Sequence, residues 1–276
     1  MSLVSKMKLF WVVLLLDVIC KCQAANFCDD YATPSCDPNA CQLPDCACTD
    51  TEPNVPVNKR PQIVYLTFDD AMTKQFDDQF YNELFMPDAS GNYKYTNPNG
   101  CPIKATFFVN GKNNDFPTVC SVENSNWFIT KIHFQNYLQT HKYWRHYHEI
   151  GAHSITHQTD LTYWANMNET SWYDEMVGVR KMIAKFAKIP ESDIKGIRAP
   201  FLQAGGDDML KMMAENDFLY DASAPSRAYG YTNLQNGRWP FTYDYHSDMD
   251  CQIEPCPKCS FPGIWSQPIC ILKMDA

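Results

Sequence analysis

Short apolar runs alternate with longer stretches of helical character through most of this chain, and that alternation limits the possible folds more than any other feature. Strands that alternate with helices are typical of a parallel α/β sheet, because each helix carries the chain back to begin the next strand in the same direction. The predicted strands are residues 63–68, 105–109, 149–152, 196–199 and 218–220, and the predicted helices are residues 74–85, 171–187 and 206–216. The sequence therefore predicts an α/β domain, which we place at residues 61–276.

Charged and polar residues stand at the ends of four of these strands. In parallel α/β barrels, the residues at the carboxyl ends of different strands meet at one face and form the active site. The residues at the four strand ends are Asp69 and Asp70, His153 and His157, Arg198, and Asp221. We expect the functional site at this face.

The histidine pair points to a metal. His153 and His157 are four residues apart, and on a helical turn this spacing places both imidazoles on one face, where they can bind one cation. A carboxylate from another strand end would complete a three-ligand zinc site with an open position for water. The pair alone is equally compatible with a surface or capping role, but its place after a strand, opposite a double aspartate, favours the metal.

The two aspartates are expected to have different roles. Adjacent carboxylates at a strand end point in different directions, so one of Asp69 and Asp70 would bind the metal while the other acts as a base. A helix cap or turn would explain a single aspartate, but it does not explain a pair beside an apolar strand. Arg198 could be a surface cation; if it points inward, it needs a carboxylate partner, and Asp69 is the natural one.

The N-terminus and the cysteines indicate the compartment. Lys6 and Lys8 precede an apolar run that is too short to span a bilayer, so residues 1–25 are predicted to be a cleaved secretory signal, with an anchored helix as the alternative. Of thirteen cysteines, two lie in this leader and an odd number remains, so at least one thiol should be unpaired or intermolecular. Five of them crowd residues 26–60, where we expect disulfides to replace a core, with zinc binding as the alternative.

Charge and a glycosylation motif limit the partners. The formal net charge of −9 argues against nucleic acid and against an anionic membrane surface, and we expect a monomer. Asn168-Glu169-Thr170 is a glycosylation sequon, which should be exposed just before a helix that begins near Ser171.

Three ordered motifs resemble the NodB-type polysaccharide deacetylases, carbohydrate esterase family 4. They are Thr67-Phe68-Asp69-Asp70, His153-Ser154-Ile155-Thr156-His157 and Arg198-Ala199-Pro200-Phe201. Within that family the sequence is most similar to the insect chitin deacetylases, through Cys36-Asp37-Pro38, Leu43-Pro44-Asp45-Cys46 and Trp239-Pro240-Phe241-Thr242-Tyr243. The resemblance runs from about residue 63 to residue 245.

This resemblance implies a distorted parallel (β/α) barrel and the zinc-dependent removal of N-acetyl groups from chitin or chitooligosaccharides in an extracellular matrix, giving chitosan and acetate. Asp70, His153 and His157 would bind Zn²⁺ or another divalent metal. Asp69 would be the general base, and Arg198 would orient it.

The resemblance also implies a substrate-binding set made of Pro200, Phe201 and Trp239. The backbone N–H of Phe201 would complete the oxyanion site. Trp239 would line the sugar groove, although an ordinary core tryptophan is the alternative for this residue.

Two departures from the family pattern remain. The family's Leu-x-His motif is missing, since His246 stands in a different context; we therefore expect a chain that is incomplete at the C-terminus and weakly active. The alternative function is a non-catalytic chitin-binding matrix protein that keeps the metal site. Residues 119–141 match no part of the family, and we expect them to form a peripheral loop or a stray helix that packs poorly.

Overall fold

The computed structural model describes residues 35–49, 55–60, 63–112, 126–226, 238–245, 249 and 251–269, with the backbone only at residues 57 and 126–135. The predicted signal at residues 1–25, together with His246, lies outside the described residues. No helix among those described has the length and apolar character needed to cross a membrane.

A seven-stranded sheet forms the centre of the domain. Its strands are β1 (Thr67–Asp69), β2 (Thr106–Val109), β3 (Glu149–Ala152), β4 (Gly196–Ile197), β5 (Tyr220–Asp221), β6 (Phe241–Thr242) and β7 (Trp265–Ser266). The spatial order is β1-β2-β3-β4-β5-β7-β6, and every neighbouring pair is parallel except β6 with β7. The predicted α/β class with parallel strands is confirmed. Among the described strands β1 and β6 stand at the edges, so closure into a barrel stays a prediction.

Helices connect the parallel strands. They are α1 (Lys74–Phe76), a π-helical turn (Asp77–Tyr81) and α2 (Asn82–Phe85), which run on from one another, then α3 (Asn126–Arg145), α4 (Leu161–Ala165), α5 (Glu169–Ala187) and α6 (Gly206–Glu215), with short 3₁₀ turns at Val57–Lys59, Glu191–Asp193 and Pro200–Leu202. The predicted helix at residues 74–85 is thus found, although a π-helical turn interrupts its regular α-helical geometry.

Helix α5 shows why the pattern of apolar residues predicted it. Its buried residues recur every three or four positions and form one stripe that faces the sheet; they include Trp172, Met176, Val179, Ile183 and Ala187. The helix begins at Glu169, earlier than predicted, because the side chain of Asn168 itself caps it and accepts a hydrogen bond from the N–H of Ser171 at 2.9 Å.

An aromatic cluster fixes the orientation of β1. The Phe68 ring stacks on Phe107 of β2 with 5.4 Å between centroids and meets Tyr81 edge-on at 5.0 Å. Since successive side chains of a strand point to opposite faces, anchoring Phe68 on the helix side turns Thr67 and Asp69 to the other face. The site begins there.

The predicted start of β1 is wrong. Residues 63–66 form no strand, and Ile63, Val64 and Tyr65 are 58%, 70% and 63% exposed. Only the Leu66 carbonyl joins the sheet, by accepting a hydrogen bond from the Thr106 N–H at 3.0 Å. As an edge strand, β1 pairs only with β2 among the described strands. Residues 63–66 therefore have no described strand on their other side.

The expectation that residues 119–141 pack poorly is wrong for the part whose side chains are described. Helix α3 packs against α5 and β3, and Asn136, Tyr137 and Thr140 are buried. Residues 119–125 lie outside the described residues. Tyr137 and Tyr143 of this helix belong to the main hydrophobic core and anchor it there.

Disulfides stabilise the N-terminal extension, as predicted. Cys36 pairs with Cys48 and Cys41 pairs with Cys46, so these thiols are not free to bind zinc. The extension docks on the sheet, because the Thr242 N–H of β6 donates to the Ala47 carbonyl at 2.9 Å.

In the C-terminal cysteine cluster, Cys251 pairs with Cys256 and Cys259 is also disulfide-bonded. Among the described cysteines Cys101 is free and exposed. The free thiol of Cys101 agrees with the odd number of cysteines outside the predicted signal.

Candidate metal centre and catalytic site

Three side chains that the sequence predicted to converge do so at the carboxyl edge of the sheet. The potential ligand atoms of Asp70, His153 and His157 all lie within 4.8 Å of one another. The Oδ1 atom of Asp70 is 3.5 Å from Nε2 of His157 and 4.0 Å from Nε2 of His153. Ligands of a tetrahedral zinc ion, at about 2.1 Å from the metal, are about 3.4 Å apart. The three atoms are therefore close to the spacing that a divalent metal needs.

The two histidines converge by a route that the spacing did not predict. His153 follows β3 directly, and residues 153–157, here called the histidine loop, form no helix. Instead Ser154 and His157 have positive φ angles of 71° and 42°. The expected helical turn is thus wrong, and two left-handed residues bring the rings together with 5.1 Å between their centroids.

Hydrogen bonds to neighbouring residues orient two of the three potential ligands. Nδ1 of His153 lies 2.7 Å from the Arg198 carbonyl; because a carbonyl can only accept, Nδ1 carries the proton and Nε2 is left to bind a metal. Burial of His153 lowers its pKa, which favours the neutral form that a metal requires. The Asn110 amide donates to Oδ1 of Asp70 at 2.5 Å.

Asp69 does not belong to this trio; it pairs with a buried cation. Nη1 of Arg198 donates to Oδ1 of Asp69 at 2.8 Å and to Oγ1 of Thr67 at 2.9 Å. Nε of Arg198 donates to the Ala222 carbonyl at 2.9 Å, and the guanidinium lies over the Phe108 ring, 4.3 Å from its centroid. The Asp69 side chain keeps 39% of its surface exposed, so a water molecule can reach it.

Backbone strain is concentrated around these residues. Five of the eight described non-glycine residues with positive φ belong to the site or adjoin it: Asp70, Ser154, His157, Phe201 and Leu202. Each left-handed non-glycine residue costs about 1–2 kcal/mol, and such costs persist mainly where the surroundings enforce the geometry, as at functional sites.

The proposed substrate-binding residues are in different environments. Pro200 is buried and begins the 3₁₀ turn after β4, whereas Phe201 is 48% exposed and its ring centroid is 4.8 Å from that of His157. Trp239 is 38% exposed, which argues against the core tryptophan considered above. Its contact with a sugar stays a prediction.

Asp221, at the fourth strand end, helps to hold the turn after β4 through hydrogen bonds. Oδ1 of Asp221 accepts hydrogen bonds from both the N–H and the hydroxyl of Ser223, whose Oγ in turn accepts the Ala199 N–H at 2.8 Å. Burial raises the pKa of Asp221 to about 6. This chain of bonds fixes the turn that carries Pro200.

Sequence reasoning missed two residues of the site. Asn110 follows β2 directly and could have been found by applying the strand-end argument to that strand. Glu175 lies on α5 and contacts the histidine loop; no sequence pattern marks it.

Comparison with known proteins gives the family. No family model matches the chain. The chain is 36% identical over 242 residues to "Chitin deacetylase 8" of Bombyx mori, covering 86% of this chain and 54% of that protein. It is 34% identical over 244 residues to "Chitin deacetylase 1" of Bombyx mori, covering 86% of this chain and 39% of that protein. The chain therefore spans about half of the first relative and less of the second.

Two solved structures have a distant likeness to the chain. One is the Xyl-CE4 domain of a multidomain xylanase from the hindgut metagenome of Trinervitermes trinervoides, with 24% identity, a TM-score of 0.35 and coverage of 62% of this chain and 60% of that one. The other is the catalytic domain of a peptidoglycan N-acetylglucosamine deacetylase from Eubacterium rectale, with 21% identity, a TM-score of 0.32 and coverage of 56% and 48%. Both TM-scores lie below 0.5, so the relationship is drawn from the two Bombyx mori proteins alone. Through its similarity to them, at 36% and 34% identity over 86% of its length, the chain is related to the insect chitin deacetylases.

Proposed function

We propose that this chain is a metal-dependent deacetylase that removes N-acetyl groups from the N-acetylglucosamine residues of chitin, giving chitosan and acetate. One observation carries the proposal: three potential ligands from two strand ends converge within 4.8 Å, directly beside an aspartate that is held by a buried arginine. An open metal position next to a carboxylate base is an arrangement that can hydrolyse an unactivated amide.

The residues present fit a divalent metal, because two neutral imidazoles and one carboxylate are a common catalytic zinc set. Asp70, His153 and His157 would hold it, and a bound Zn²⁺ would polarise the acetyl carbonyl and acidify a water molecule. The hydrogen bonds to the potential ligands support this assignment, since Asn110 orients Asp70 and the Arg198 carbonyl selects the tautomer of His153.

Asp69 would act as the general base. Its exposed carboxylate can accept a proton from the attacking water. The Arg198 guanidinium holds Oδ1 in place, and no hydrogen bond from a described residue engages Oδ2. The backbone N–H of Phe201, in a left-handed turn beside His157, is our candidate for stabilising the oxyanion.

The substrate would bind across exposed aromatic side chains. Phe201 and Trp239 present 48% and 38% of their surfaces to solvent, and aromatic rings combine an apolar face with little conformational entropy, which suits the apolar faces of sugar rings. Chitin rather than another N-acetylglucosamine polymer is inferred from the names of the two curated relatives.

We also propose that the chain is secreted. Its disulfides are of a kind that forms in oxidising compartments, residues 1–25 have the pattern of a signal peptide, and Asn168 of the sequon is exposed. The Asn168 Oδ1 atom caps α5, and this leaves its amide nitrogen available for a glycan.

The test is release of acetate from chitooligosaccharides by purified chain, stripped of metal and then supplied with Zn²⁺. We expect release with zinc, its loss in Asp69→Asn, and its retention in Asp208→Asn, a control that neutralises an exposed acid of α6. The alternative, a non-catalytic chitin-binding protein, predicts retention on chitin beads with no acetate under any condition. That second outcome would refute the enzymatic proposal.

A further inference from the structure

Glu175 is a buried acid on α5 whose described hydrogen bonds hold the histidine loop. The residue is 4% exposed. Its Oε2 atom accepts the backbone N–H groups of Ile155 and Thr156 at 2.8 Å and 2.9 Å. Its Oε1 atom accepts the Thr156 hydroxyl at 2.6 Å and the Tyr163 hydroxyl at 3.0 Å. One carboxylate thus serves four donors, three of which belong to the two residues midway between the histidines.

The histidine loop needs such support because its backbone is strained. Ser154 and His157 have φ angles of 71° and 42°, a left-handed conformation that is unfavourable for a residue with a side chain. Hydrogen bonds to a charged acceptor are stronger than those between neutral groups. The bonds to Glu175 therefore help to offset the strain of both residues.

Close packing on two sides restricts the position of the histidine loop. On the α5 side, a Cβ added at Gly178 would stand 2.6 Å from Cδ1 of Ile155. On the β2 side, a Cβ added at Gly111 would stand 2.7 Å from the Ile155 carbonyl oxygen, and the Gly111 N–H donates to the Ser154 carbonyl at 2.9 Å. Glu175 adds hydrogen bonds to these packing contacts.

We propose that Glu175 is a positioning residue of the metal centre, which fixes the histidine loop in the conformation that turns Nε2 of both His153 and His157 toward Asp70. The proposal rests on the metal-dependent function proposed above. It assigns Glu175 no contact with the metal or with the substrate. Its effect is to preorganise the histidines, so that metal binding does not have to order a strained loop.

The test measures Zn²⁺ affinity by competition with a chromogenic chelator, at a temperature where circular dichroism shows every variant folded. Glu175→Met removes all four acceptor contacts while keeping a side chain of similar size. We expect it to weaken zinc binding by about 10- to 100-fold, the usual effect of losing a residue that orients metal ligands. Glu175→Gln should restore most of the affinity, because its amide oxygen can accept both backbone N–H groups while its nitrogen donates to the hydroxyls. The control, Asp174→Asn, removes the exposed acid next in sequence and should leave affinity unchanged.

Wild-type affinity in folded Glu175→Met would overturn the proposal, whatever happens to stability. Should Glu175→Met fail to fold, Glu175→Asp answers the same question, because its shorter side chain withdraws the acceptors from the loop. Unchanged Zn²⁺ affinity in Glu175→Asp would also overturn the proposal.

Two further results separate this inference from the proposed function. A wild-type chain that binds zinc but releases no acetate would refute the deacetylase and leave the Glu175 comparison intact. If the wild type binds no zinc, the metal function fails, and hydrogen exchange decides whether Glu175 holds the loop. We then expect Glu175→Met to expose the Ile155 and Thr156 amides while the Ile150 amide of β3 stays protected, and equal protection in both proteins would overturn the inference.

Discussion

Replacing Arg198 by lysine should slow the chemical step and leave the metal site intact. Three described hydrogen bonds leave the guanidinium from two different nitrogens, toward Asp69, Thr67 and the Ala222 carbonyl. A single lysine ammonium on a differently shaped stem cannot reproduce that fork. A net loss of one hydrogen bond to a charged group, about 1.5–3 kcal/mol, corresponds to about a 10- to 150-fold fall in rate.

The fall should appear in kcat rather than in KM, since Asp69 is proposed to act on water and not on the sugar. Zinc affinity should stay unchanged, because the group of Arg198 that contacts His153 is its backbone carbonyl, which lysine keeps. The assay is steady-state acetate release together with chelator competition.

A matched control is Arg180→Lys. Arg180 is also a buried arginine whose guanidinium lies 4.3 Å from an aromatic ring centroid, that of Phe218, but it bonds the Asn216 carbonyl at the end of α6. The Arg180→Lys variant should be less stable than the wild type but should have the same kcat. Equal effects of the two substitutions on kcat, or wild-type kcat in Arg198→Lys, would refute the role given to Arg198.

Three further predictions concern stability and modification. Burial lowers the pKa of His148 to about 4, and its Nδ1 accepts the Ala105 N–H. The same histidine in the unfolded chain titrates near 6.5. The free energy of unfolding should therefore fall by up to about 3 kcal/mol as the pH drops from about 6.5 to about 4. Urea unfolding at both pH values should show a shallower loss in His148→Asn, and an identical loss would contradict this. Gly205→Ala should cost about 1–3 kcal/mol in urea unfolding, because its Cβ would lie 2.1 Å from Nε1 of the buried Trp172; no loss would mean that Trp172 can move. Asn168, which is exposed, should carry a glycan when the chain is secreted from insect cells, and a mass unaffected by peptide N-glycosidase would exclude it.

Much of the fold followed from periodicity alone. Helix α5 has a buried stripe with helical spacing, and β3 has the predicted bounds, because both elements lie inside the domain, where burial dictates the pattern. The strand-end argument also selected Asp70, His153 and His157, which the structure brings together. Local pattern is informative wherever one face of an element is buried.

The rest depended on contacts that no local pattern contains. Whether residues 63–66 join the sheet depends on a neighbouring strand, and apolar sequence cannot reveal that β1 lies at an edge. The helical-turn geometry expected for the histidine pair failed because Ser154 adopts a left-handed conformation, which tertiary contacts enforce. Glu175 reaches the loop from a separate helix, and a buried glutamate in a helix looks like a surface residue in sequence.

The measurement that tests the central claim most directly is acetate release from chitooligosaccharide as Zn²⁺ is added stepwise to metal-free protein. We expect release that rises in proportion to zinc and levels off at one ion per chain, with none in His157→Ala at any zinc concentration below saturation. Release that does not depend on zinc, or that persists in His157→Ala, would contradict the assignment of Asp70, His153 and His157 as the catalytic metal centre.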